Sequence, residues 1–122
     1  VLVAHRNPVG DMGERWEFPG GKIEDGEDEA TGIVREFQEE FGVKVRVGEH
    51  IADAEFEHHG KKRQLHAYRI FVPHKGIFFK YKLTEHTEYK WVEFSEIRNL
   101  NFVDSDLLIY DAVKEYARKV SR

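Results

Sequence analysis

Between Ala30 and Phe41 the apolar residues change period: Ala30, Ile33, Val34, Phe37 and Phe41 fall at i, i+3, i+4, i+7 and i+11. At about 100° per residue these side chains share an arc about 100° wide, the pattern of an α-helix buried along one flank. The new period starts at Asp28, and Gly42 is the expected C-terminal cap. Glu36, Glu39 and Glu40 fill the adjacent arc, so the helix is expected to present three carboxylates side by side, off the apolar stripe. Like charges at this spacing repel by roughly 0.2–0.5 kcal/mol per pair. Arg35, four residues before Glu39, relieves only part of that repulsion. A solvated acidic face is the plain explanation. The chemical one is that clustered carboxylate oxygens, with no thiolates, suit a hard cation such as Mg²⁺ or Mn²⁺.

The rest of the composition bounds the answer. With 122 residues, 40% hydrophobic and 34% charged, the chain suits one globular domain, 1–122, with a core of its own. The formal net charge of −4 gives no basic field to attract nucleic acid, so no nucleic-acid partner is expected. No apolar run reaches the roughly 18 residues that span a bilayer, so no membrane partner is expected either. There is no cysteine, which excludes disulfides and thiolate metal sites and is compatible with a reducing cytoplasm, the expected location. No secretory signal is visible. The chain starts in Val1-Leu2-Val3-Ala4-His5, which reads as a strand already under way, and a further strand is expected before Val1.

Along the chain, Val1–His5 reads as a strand, 6–15 as a loop, and Trp16–Phe18 as a short strand entering the Pro19-Gly20-Gly21 turn. After the helix come a β-rich stretch over 44–56, a hairpin tip over 57–62 and a strand over 63–73. The segment 76–82 is a strand or an irregular loop. Then follow a strand over 89–94, a helical turn over 95–100 and one final helix over 105–120. Strands enclosing one helix, with a helix last, indicate an α/β (α+β) class and an α/β/α sandwich.

The spacing around the carboxylates narrows the reading further. Gly21 is followed after five residues by Glu27, after seven more by Arg35-Glu36, then Phe37, one residue, Glu39-Glu40, one residue, Gly42 and Val43. This resembles the Nudix hydrolase signature at every specified position. The approach Trp16–Glu24 and the later stretch Glu85–Ile97 resemble the MutT-like branch. The resemblance implies a Nudix-type α/β/α sandwich with a mixed β-sheet. It also implies Mg²⁺- or Mn²⁺-dependent hydrolysis of a nucleoside triphosphate, or another nucleoside diphosphate derivative, to the monophosphate and pyrophosphate. Other substrates of the family, a dinucleoside polyphosphate, a nucleotide sugar or an mRNA cap, stay open. So does a non-catalytic nucleotide-binding module on the same fold. The partner implied is a small-molecule nucleotide, for a monomer or homodimer.

By the same resemblance, Glu39 and Glu40 are the main metal ligands, with the main-chain carbonyl of Gly20. Glu36 is a further ligand or the general base. Glu85, six residues before Trp91, is a ligand or base from a later loop. Arg35 and Glu27 form an orienting pair that holds the loop onto the helix. For substrate, Arg6 is expected near a phosphate, Phe18 against the base, and Asp106 at the base edge. Asp106 stands where the 8-oxoguanine-specific enzyme has an asparagine, and an ionised carboxylate there only accepts hydrogen bonds. That favours a base with an exocyclic amine, cytosine or adenine. His58 and His59, adjacent in sequence, would point to opposite faces of a strand and are not expected to share a metal.

Overall fold

The computed structural model describes residues 1–8, 13–20, 26–72 and 86–120. The segment 76–82 lies outside them. In chain order the elements are β1 (Leu2–Arg6), β2 (Trp16–Glu17), α1 (Glu29–Phe41), β3 (Arg46–His58), β4 (Lys61–Phe71), β5 (His86–Trp91), α2 (Phe94–Ile97), α3 (Asp104–Leu107) and α4 (Tyr110–Val120).

β1 is the centre of the architecture. It pairs antiparallel with β2 on one side and with β5 on the other. Its side chains alternate between two cores, as the two-residue strand period requires. Leu2 and Ala4 face the helix α1, packed with Phe37, Phe41, Val43 and Val45. Val3 faces the opposite layer, with Val92, Ile97, Phe102 and Tyr110. A strand buried on both faces needs an unbroken apolar run, which explains Leu2-Val3-Ala4. Trp16 adds an isolated parallel bridge to Phe102, outside the named strands, while every strand pairing among the described residues is antiparallel, so the expected mixed sheet is seen only as that bridge.

α1 forms where the periodicity predicts. The Asp28 side chain accepts from the Thr31 N–H at 2.7 Å, satisfying one orphan donor of the first turn. Gly42 ends the helix with φ 68°, and its N–H donates to the Gln38 carbonyl. Ala30 is exposed, so the buried flank begins only at Gly32 and Ile33.

β3 and β4 form a long antiparallel hairpin closed by His59-Gly60, with φ values of 52° and 75°. Two successive positive φ values fit the type I′ turn that matches strand twist. β3 is bulged on either side of His50.

The expected single helix over 105–120 is two helices. Between them the Leu108 and Ile109 N–H groups donate three residues back, to Ser105 and Asp106. That tighter turn lets the consecutive residues Ile109 and Tyr110 both be buried, at the expense of Leu108, which is 58% exposed. Among the described residues no helix is long and apolar enough to cross a membrane.

Candidate active site

Arg35 organises the acidic end of α1. Its Nε donates to Glu27 Oε2 at 2.8 Å and its Nη2 to Glu27 Oε1 at 3.1 Å, a two-pronged contact. Its Nη1 donates to Glu36 Oε1 at 3.1 Å and to Glu39 Oε2 at 3.0 Å. One guanidinium thus meets three carboxylates. Glu27 lies just ahead of the helix cap, so the pair fastens the preceding loop to the second turn of α1. Arg35, Glu27 and Glu36 side chains are largely shielded, while Glu39 is 60% exposed.

The expectation of three carboxylates together on one open flank needs correcting. Glu40 is only 5% exposed. On a helical wheel it stands about 20° from Ile33, at the border of the apolar flank. The roll of α1 against β1 takes it under with Phe37 and Phe41. The site therefore has one solvent-facing carboxylate, Glu39, one largely shielded, Glu36, and one buried, Glu40.

The fork is what lysine cannot reproduce. Arg35→Lys keeps the charge but loses the two-pronged contact to Glu27. It is expected to destabilise the protein by about 1–2 kcal/mol and to lower Tm by about 4–10 °C. Thermal melts of the two proteins check this, and equal Tm values would show that charge alone suffices.

A second group of residues gathers at the end of β1 and β2. The register of β1 on β5 shifts between His5 and Arg6. Arg6 Nη1 reaches Glu17 at 3.0 Å and 3.3 Å. The bridge from Trp16 to Phe102 draws α3 alongside. There Asp106 Oδ2 accepts from the main-chain N–H of Phe18 at 2.9 Å. Phe18 is half-buried, edge-on to Phe102 at 5.0 Å. The structure therefore brings Arg6, Phe18 and Asp106 together, with Glu17, which sequence reasoning missed. Glu17 stands opposite Ala4, two residues before Arg6, so an acidic residue diagonal to Arg6 on the neighbouring strand was the available signal.

Asp106 is 8% exposed. Burial pushes its carboxyl up from 3.8 to about 7, against the stabilising N–H of Phe18; Glu17 pushes it further and Arg6 pulls it back. The expectation of a simply ionised Asp106 is corrected accordingly: near neutral pH it exists in both forms.

Gly20 is exposed at the end of the described turn, and Glu85 lies outside the described residues. The donors present on α1 fit a divalent cation. They are all carboxylate oxygens, and Glu36 and Glu39 already converge on one cationic point, Arg35 Nη1.

Comparison with known proteins shows the family. Residues 1–112 match the NUDIX domain. A CTP pyrophosphohydrolase of Escherichia coli (strain K12) is 30% identical over 112 residues, covering 92% of this chain and 80% of that protein. An 8-oxo-dGTP diphosphatase of Proteus vulgaris is 49% identical over 45 residues, covering 37% of this chain and 40% of that protein. The solution structure of the E. coli ORF135 protein has a TM-score of 0.77 at 28% identity, covering 99% of this chain and 82% of that one. With a family domain matched over nearly its whole length and the α/β fold of that family, this chain is a Nudix hydrolase.

Proposed function

We propose that the protein is a Mg²⁺-dependent pyrophosphohydrolase of nucleoside triphosphates, giving the monophosphate and pyrophosphate, with cytidine triphosphate as its preferred substrate class. The observation that carries the chemistry is the carboxylate set of α1, held by one arginine. Glu39 and Glu40 are the principal metal ligands, with the Gly20 carbonyl, and Glu36 is a further ligand or the general base. When bound, the cation neutralises phosphate oxygens, activates the attacking water and aligns the displacement. Arg35 and Glu27 position the helix and its loop. Arg6, whose Nε has no hydrogen-bond partner among the described residues, is assigned to an oxygen of the substrate.

Base choice rests on Asp106. Above about pH 7 its carboxylate accepts only, which favours the amines of cytosine and adenine over the carbonyls of guanine and uracil. A carbonyl facing an acceptor leaves polar groups mispaired at about 1–3 kcal/mol, roughly 5–150-fold in specificity. Cytidine ranks first because its smaller ring leaves space for Phe18, and the E. coli relative acts on CTP. Below about pH 7 the protonated carboxyl can donate, so guanine-type substrates should gain relative to cytidine.

A nucleotide screen at pH 6 and pH 8 with Mg²⁺, with products resolved by chromatography, tests both halves. Cytidine triphosphate should lead at pH 8, and Asp106→Asn should flatten the ranking and remove its pH dependence. A tenfold preference for 8-oxo-dGTP at pH 8, or an unchanged ranking in Asp106→Asn, would overturn the assignment.

A further inference from the structure

Away from the carboxylates of α1, the outer hairpin carries a second set of ligating groups. His50, Asp53 and His66 bring their ligand atoms within 4.8 Å of one another, the one such trio among the described residues. The strand geometry that assembles them is specific. On a regular strand, positions 50 and 53 face opposite sides. The bulge between His50 and Ala52 changes the phase of β3, and His50 Nε2 then meets Asp53 Oδ1 at 2.6 Å. Asp53 stands directly opposite His66 on β4, and His50 directly opposite Tyr68. The same Oδ1 of Asp53 also receives His66 Nδ1. Two imidazole nitrogens thus converge on one carboxylate oxygen.

The surrounding groups resemble the support of a built metal site. His66 turns its other nitrogen, Nε2, toward Glu29 Oε1 at 3.6 Å. Glu29 is held in turn by the Tyr68 hydroxyl, whose proton is secured by that contact and by burial, its pKa pushed up to about 12. Tyr68 stacks on the His50 ring at 4.9 Å. A carboxylate beside the far nitrogen of a histidine, here at ion-pair distance, favours its basicity as a ligand. An open depression of about 300 Å³, lined in part by Asp53, Gln64 and His66, leaves room for solvent ligands.

We propose that His50, Asp53 and His66 form a site for a borderline divalent cation of the zinc type, distinct from Glu36, Glu39 and Glu40 of α1. Imidazole donors select Zn²⁺ over Mg²⁺, and two histidines with one carboxylate and water make a familiar tetrahedral set. The cation takes the place of the two hydrogen bonds that converge on Asp53. Glu29 belongs to the first turn of α1. An occupied site therefore ties the β3–β4 hairpin to the start of the helix that carries Arg35 and Glu39.

The test is Zn²⁺ titration of the full chain by calorimetry in excess Mg²⁺, which occupies the α1 carboxylates. Co²⁺ absorption serves as a second readout of tetrahedral coordination. One Zn²⁺ per chain is expected, undisplaced by Mg²⁺, with intense visible bands for Co²⁺. His50→Ala and His66→Ala should each weaken binding by at least the roughly 10–100-fold that loss of a supporting group costs, and Glu29→Gln by about 10-fold. His50 is 45% exposed, so its variant should fold normally and keep the test valid if His66→Ala does not. Zn²⁺ displaced by Mg²⁺, Zn²⁺ retained at full affinity in His50→Ala, or no Zn²⁺ bound at millimolar metal would each overturn the proposal.

Discussion

Glu39→Gln should lower Mg²⁺-dependent hydrolysis by on the order of 100-fold or more while leaving the metal-free protein nearly as stable as before. The two halves of this expectation come from separate facts. Glu39 is the most exposed of the α1 carboxylates and its contact with Arg35 is an i,i+4 ion pair. Exposed pairs of this kind contribute about 0–1 kcal/mol, and Arg35 keeps its other partners, Glu27 and Glu36. Glutamine removes one charged oxygen donor, and with it part of the attraction for the cation. Hydrolysis assays across a Mg²⁺ titration, beside thermal melts in chelator, separate the effects. Near-normal turnover at low Mg²⁺ would sink the assignment of Glu39 as a ligand. A large fall in Tm would instead mark it as a structural residue. Glu40→Gln makes a useful contrast, because Glu40 is buried and its replacement alters packing as well as charge.

Asp106→Asn should stabilise the protein, and increasingly so as pH rises. The folded carboxyl titrates at about 7 against an ordinary 3.8. Between those values the native state holds a proton that the unfolded chain has released. Folding stability therefore falls as pH climbs from about 4 to about 7, and the penalty is fully present above about 7. A gap of about three pH units at about 1.4 kcal/mol each sets an upper figure of about 4 kcal/mol. Asparagine carries no charge at any pH, and its Oδ1 can still accept from the Phe18 N–H. The two proteins should match near pH 4 and diverge up to about pH 8, in metal-free urea melts compared pH by pH. A difference that stays constant with pH, or a variant less stable than wild type at pH 8, would show that Asp106 is not held as a buried, partly protonated acid.

That the protein keeps a carboxylate at this position, where asparagine would be easier to bury, fits a role at the substrate. A buried acid near neutrality supplies an acceptor on one side of its pKa and a donor on the other. Stability given up at position 106 is the kind of local conflict expected at functional sites.

Much of this protein can be read from local pattern. The 3.6-residue period places α1, Asp28 and Gly42 supply its ends, and the spacing from Gly21 to Val43 identifies the family. The unbroken apolar run Leu2-Val3-Ala4 becomes the two-sided burial of β1. These features are written in residue period, residue type and fixed spacing along the chain, which a linear sequence shows directly. What the tertiary structure decided depends on angles and on contacts across the chain. The burial of Glu40 depends on how far α1 rolls against β1, a matter of some 20° that periodicity does not resolve. The raised pKa of Asp106 depends on its burial in the fold, beside Phe18, 88 residues away, where the Trp16–Phe102 bridge brings the two segments together. The meeting of His50, Asp53 and His66 depends on a bulge that reverses the strand's phase, which turns residues that alternation would separate onto one face.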